Sequence, residues 1–312
     1  MSSTTSNPSP SVREIALKTD EEDYILHCSS FGKKDPNTLS LLGKIVEDLM
    51  SLGRYEEALK KEEELYSLRC SLLGEKHPDT IKTLEAYPNI LVPLGRYDEA
   101  LEKAKKYSSL CLEVLGGSHQ DYLFSLDIIS VVNIYLGRYA DALEMAGKCY
   151  TLRSEILGEG HHDTFESLES IITILMQLFR YNEALERAEE LYSLRSKALG
   201  KNHEDSIYSL YMVSIILGCL GRYDEALEKA KESYKRFCRV LGKKNKKTID
   251  ALCNIGTINT WLGNDEEALA IYKECYCLSC KVLGKDHPDT KTLELYMEST
   301  LFSLERKGPS NS

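Results

Sequence analysis

Five histidines and one cysteine cluster are the residues of this chain whose types could carry metal or acid–base chemistry. His77, His119, His161, His203 and His287 all occupy one position of a recurring loop, a whole repeat or more apart. So spaced, they cannot converge on one metal or one substrate, and a structural or capping use is expected. His161-His162 is the adjacent pair, with no carboxylate–thiol set beside it in the sequence. Cys275-x-Cys277-x-x-Cys280 resembles a zinc motif in spelling alone. It falls within a helix, where Cys275 and Cys277 point to different faces, whereas zinc sites use a turn to gather such thiolates. Cys280 shares its repeat position with Cys28, Cys70 and Cys238, and Cys275 shares one with Cys149, as small buried side chains do. Glycine-rich phosphate loops, Ser/His/Asp orders and nucleotide fingerprints are missing. The expectation is a chain with no catalytic residues, no metal and no cofactor, and therefore not an enzyme.

Composition narrows the remaining classes. The 312 residues are 42% apolar and 28% charged, as in ordinary folded proteins. Asp and Glu number 49 against 39 Lys and Arg, a net charge of −10 that disfavours a phosphate-neutralising surface and hence nucleic acid. No apolar run approaches the roughly 18 residues of a membrane span. The opening MSSTTSNPSPS lacks the basic and apolar regions of a signal peptide, so a cytoplasmic setting with ten reduced cysteines is expected.

The elements that position these residues repeat. Gly-Arg-Tyr at 53–55 recurs at 95–97, 137–139 and 221–223, Phe179-Arg180-Tyr181 fills the gap, and the Arg positions step by 42. Gly32, Gly74, Gly116, Gly158, Gly200, Gly242 and Gly284 keep the same step. Each unit reads as a polar stretch such as His77-Pro78-Asp79-Thr80, an apolar-periodic helix A, the Gly-Arg-Tyr turn, and a helix B ended by the marker glycine. The recurring Ala of Glu-Ala-Leu (Ala58 and its copies) marks close approach of helix B to helix A, and the recurring Tyr is expected to pack between units. Each repeat Arg is expected to form a local charge pair with the acids opening helix B. Pro88 and Pro93 should disturb one helix A, and Phe179 suits neither its turn nor exposure. The expected organisation is a disordered tail at 1–10, a solenoid at 11–305 (leading helix, six repeats, closing helix), and a tail at 306–312.

The run Gly-x-x-His-Pro-Asp-Thr, then Leu, then Gly-Arg-Tyr-x-Glu-Ala-Leu, resembles the tetratricopeptide repeat in the 42-residue form typical of kinesin light chains. The resemblance implies an all-α fold, a right-handed superhelical solenoid of helix-turn-helix repeats whose helices A line a concave groove for partner peptides. A motor subunit is not expected, because about ten residues precede the first helix where kinesin light chains carry a long coiled coil. Their groove asparagines are also replaced: the matching triplets read Leu84-Glu85-Ala86, Leu126-Asp127-Ile128, Leu168-Glu169-Ser170, Leu210-Tyr211-Met212 and Leu252-Cys253-Asn254, with Asn254 surviving.

Helical counting places a partner-binding groove at Glu85, Asn89, Phe124, Asp127, Val131, Glu166, Glu169, Thr173, Tyr208, Tyr211, Ile215 and Asn254. Acids (with Glu47 and Asp250) outnumber Lys44 and Lys82 on this face, with apolar residues between. The expected function is an adaptor or scaffold binding a protein or peptide segment, apolar with basic flanks. Asp127 and Glu169 would meet the basic groups, and Tyr208 and Tyr211 would supply contact area. Neither nucleic acid nor membrane is expected as a partner. The alternative is a structural protein that weakly self-associates through its ends, Val12–Phe31 and Thr290–Leu304.

Overall fold

The computed structural model describes residues 10–307. The expected tails at 1–10 and 306–312 lie outside them, except for Pro10 and residues 306–307, which are helical. The chain forms two compact units, residues 1–156 and 157–312. The first holds α1 (Pro10–Phe31), α2 (Pro36–Ser51), α3 (Tyr55–Leu73), α4 (Pro78–Leu84), α5 (Ala86–Leu91), α6 (Tyr97–Val114), α7 (Gln120–Tyr135) and α8 (Tyr139–Leu157). The second holds α9 (His162–Gln177), α10 (Tyr181–Leu199), α11 (Glu204–Cys219), α12 (Tyr223–Val240), α13 (Lys246–Trp261), α14 (Asp265–Val282) and α15 (Pro288–Lys307). The described residues contain no strand, and no helix among them is long and apolar enough to cross a membrane. Within each unit consecutive helices pack on one another.

Helix A begins where a side chain can take over an orphan backbone donor. Nδ1 of His77, His119, His161 and His287 accepts the N–H two residues on at 3.2 Å, and His203 does so at 3.3 Å. Asp35 and Asn245 fill the same position in the remaining units. The histidine row is therefore a set of helix caps. Helix A then buries an apolar stripe, such as Leu39, Leu42, Ile45, Val46 and Leu49 of α2. Against it, Ala58, Ala100, Ala142, Ala184, Ala226 and Ala268 have no exposed surface, so helix B approaches closely as expected.

Three departures from the repeat have local causes. Pro88 has no N–H for the Leu84 carbonyl, and its helix A splits into α4 and α5 at Glu85. Phe179 takes the left-handed backbone (φ 58°) that glycine supplies at residues 53, 95, 137 and 221, and its ring is 76% exposed. Glu62 stands in α3 where the next four units carry Ala104, Ala146, Ala188 and Ala230 and the last carries Tyr272. It is 2% exposed, and burial pushes its carboxyl up to about 8, with Arg69 offsetting only part.

Two of the turn tyrosines pack against helix A of the next repeat. Tyr97 stacks on Tyr135 at 5.6 Å between ring centres, and Tyr223 lies 5.7 Å from Trp261.

Candidate functional site

In the first unit, α7 carries the most open candidate face. Phe124 and Val131, seven residues and two turns apart, are 40% and 48% exposed, and Tyr135 extends the strip one turn further. Between them Asp127 is half-buried, because Arg153 of α8 reaches over and donates to its Oδ2 at 2.6 Å. Asn89 is exposed at the surface of α5. Glu85 is half-buried, with the Lys82 ammonium at 3.2 Å and the Tyr107 hydroxyl donating to it at 3.4 Å.

In the second unit, Glu166 and Thr173 are exposed on α9, while Glu169 between them accepts from the buried Arg195 of α10 at 2.7 Å. Tyr208, Tyr211 and Ile215 are half-buried on α11. Both tyrosines pack against the Ile207, Phe237 and Ala251 cluster, and burial raises the Tyr211 hydroxyl well above its ordinary value. Asn254 is buried, 9% exposed, and donates to Ser214 Oγ at 2.8 Å.

Two expectations change as a result. Asp127 and Glu169 are not bare carboxylates awaiting a basic partner; each already neutralises an arginine buried between helix A and helix B, where an unpaired guanidinium costs several kcal/mol, roughly 3–5. Asn254 is an internal hydrogen-bond donor, since the α11 hydroxyl of Ser214 lies directly over it. Charge reversal at the two acids is thus expected to destabilise the chain, contrary to a purely groove-facing role. Helical counting cannot see the long side chain that helix B sends across the face of helix A.

The other chemical candidates also resolve. Cys275 is buried and Cys277 exposed, on different faces of α14. Asp163 and Glu166 carboxylates both lie 3.7 Å from His162 Nδ1, a grouping that the His161-His162 spelling did not suggest. The repeat arginines pair locally: Arg54 grips Glu57 through two bonds of 2.7 and 2.6 Å, as do Arg96–Glu99, Arg180–Glu183 and Arg222–Glu225, and each glutamate is held below its ordinary value chiefly by that contact. Arg138 departs, reaching Asp98 at 3.0 Å.

Sequence reasoning passed over one feature. A cavity of about 220 Å³ opens between α13, α14 and α15, with Ile249, Cys253, Leu283, Leu293 and Tyr296 lining it and Lys246, Asp250 and Asp289 at its charged side. Lys246 bridges Asp250 at 3.2 Å and Asp289 at 2.9 Å, and burial raises the Asp250 carboxyl. The signal available in the sequence was Cys253, alone in carrying a thiol at the register of Asp127, Glu169 and Tyr211.

No characterised protein sequence matches the chain significantly. Solved structures share the fold. A kinesin light chain-like protein of nearly identical repeats, from Podospora anserina, is 17% identical over 66% of this chain and 97% of its own, with a TM-score of 0.60. BtubC from P. vanneervenii is 11% identical over 76% and 94%, with a TM-score of 0.62. A multidomain signal-transduction ATPase with a tetratricopeptide repeat sensor, from Pyrococcus horikoshii, is 17% identical over 97% of this chain and 45% of its own, with a TM-score of 0.65. Tetratricopeptide repeat models match residues 38–79, 125–163, 163–239 and 248–289, together more than half of the sequence. The 42-residue helix pair, its histidine cap and its glycine turns thus have a family: the chain belongs to the tetratricopeptide repeat proteins.

Proposed function

We propose that this chain is a protein-interaction module, an adaptor or scaffold, that takes an apolar partner segment with basic flanks on its helix A faces. Tetratricopeptide repeats generally mediate protein–protein interaction. The observation that carries the reading is the exposed Phe124 and Val131 pair on α7, a helix whose Tyr122, Leu123, Leu126, Ile128, Ile129 and Val132 are buried. Phe is among the residues enriched at the cores of interfaces, and Val131 adds apolar contact area beside it. The net charge of −10 and the exposed Glu47 and Glu166 favour basic flanks.

Panning a random-peptide display library on the full chain tests this. Enriched peptides should be apolar with flanking Lys or Arg, and Phe124→Ala with Val131→Ala should weaken them about tenfold or more, roughly 1.4 kcal/mol, without moving the melting curve. Equal binding by the double variant, or no enriched peptide, overturns the reading.

A second reading has its own observation. Ile15, Ile25, Leu26 and Phe31 of α1, and Leu295 and Phe302 of α15, are strongly exposed. Self-association through these end helices would appear as a concentration-dependent sedimentation coefficient that Leu26→Lys abolishes; a constant coefficient removes it.

A further inference from the structure

In this fold, a helix A residue faces the helix B residue 22 positions later. The Glu85–Tyr107 hydrogen bond at 3.4 Å shows the register, and in the α13/α14 pair both members are cysteines, Cys253 and Cys275. The two thiols lie close enough to perturb each other's ionisation. Cys275 is fully buried, with its Sγ 4.0 Å from the Ile249 carbonyl, one turn before Cys253 on the same helix. One turn further along, the two helices are tightly packed: a Cβ on Gly256 would lie 2.8 Å from the Tyr272 ring. Cys253 is the member that reaches outside, since it lines the 220 Å³ cavity beside Lys246 and Asp250.

We propose that Cys253 is a thiol modification site for small peroxides, with Cys275 as its resolving partner. The arrangement supplies what such a site needs: an attacking sulfur that opens to a cavity large enough for hydrogen peroxide, and a second sulfur behind it. The Cys253 thiolate attacks one peroxide oxygen, forming S–O as O–O breaks, and the departing hydroxide takes a proton to become water. Cys275, losing its proton, then attacks the sulfenic sulfur; S–S forms, S–O breaks, and a second water leaves. The two thiols lose two electrons and the peroxide gains them. The neighbouring Cys275 thiol assists the first step, holding the Cys253 thiol below its ordinary value, while Cys253 and burial together raise Cys275. The resulting disulfide ties α13 to α14 at the wall of the cavity. This inference does not depend on the partner-binding reading.

The test is peptide mapping of the full chain by mass spectrometry after hydrogen peroxide treatment, without reductant. Wild type should yield the Cys253–Cys275 disulfide peptide, 2 Da lighter than the two thiol peptides together, where 2 Da is about the mass of the two hydrogens lost. In Cys275→Ser, dimedone should trap a sulfenic acid on Cys253; serine fits there, as Ser233 holds the same position in the preceding unit. Cys253→Ser should abolish both products. Cys253 of wild type should also react about tenfold faster than the exposed Cys277. If Cys219 or Cys277 oxidises first, or Cys253 is untouched while others react, the proposal is wrong. Should Cys275→Ser unfold by circular dichroism, the wild-type disulfide map and the Cys253-to-Cys277 rate ratio decide the matter alone.

Discussion

The pairs α2/α3 and α9/α10 are copies of one design, three repeats apart, and they place their carboxylates oppositely. In α9/α10, Glu169 sits on the open face of helix A and meets Arg195, which also donates to Ser209 Oγ of the next helix at 3.0 Å. The seam between the helices is left to Ala188. In α2/α3, Arg69 keeps the equivalent contact, Thr83 Oγ1 at 2.7 Å, but Gly43 stands where Glu169 would be. The carboxylate is instead Glu62, in the seam itself, at the position of Ala188. One arrangement neutralises a buried cation from the solvent side; the other drives an acid into the apolar layer. The same fold tolerates both, because each pair is held by its neighbours along the stack and not by its own contacts alone.

The sharpest way to probe that contrast is pH. A carboxyl raised from 4.5 to about 8 carries no charge penalty for burial while protonated and opposes folding once ionised. Wild type should therefore be as stable as Glu62→Ala or better near pH 4.5, and lose ground steadily as pH rises through about 8. The full span corresponds to a difference on the order of 4 kcal/mol. Urea unfolding of both proteins across this range checks it; parallel curves would show that Glu62 is not the buried acid described.

Glu169 should answer differently to deletion. Glu169→Ala leaves Arg195 buried without its carboxylate, and the cost should be about 3 kcal/mol, the lower end for a broken buried pair because Glu169 itself is half-exposed. The double variant Glu169→Ala with Arg195→Met should recover much of it. A loss below about 0.5 kcal/mol would place the pair among ordinary surface contacts.

These contrasts mark where sequence reasoning reached and where it stopped. Helix boundaries followed from local chemistry: the histidine caps, the glycines, and Pro88 all act within four residues of themselves, so a linear reading captures them. The open face of α7 followed from periodicity in the same way. What escaped it depends on how helix A sits on helix B. Arg153 meets Asp127 across 26 residues, Cys253 meets Cys275 across 22, and Glu62 is buried only because α3 turns that position inward. Periodicity fixes a face but not which long side chain from the next helix crosses it.

The smallest effect concerns the turn that opens α10. At residues 53, 95, 137 and 221 glycine adopts φ between 70° and 77°, and Phe179 is the non-glycine residue at positive φ among the described residues. A Cβ in that conformation costs about 1–3 kcal/mol, partly offset because glycine loses more chain entropy on folding, about 0.5–1 kcal/mol. The exposed ring recovers little: its one aromatic neighbour is Tyr181, edge-on at 6.0 Å. Phe179→Gly should therefore stabilise the second unit by about 1 kcal/mol, seen as a higher urea midpoint with unchanged slope. Paired with peptide capture, the same variant separates two origins for this residue. If Phe179 is drift within the repeat, the variant gains stability and binds as before. If the strain is maintained for contact with a partner, it gains stability and binds more weakly, and the open face of the second unit then extends to this turn. A variant that loses stability would mean that the ring contributes packing worth more than the strain, and the comparison with the four glycine turns would fail.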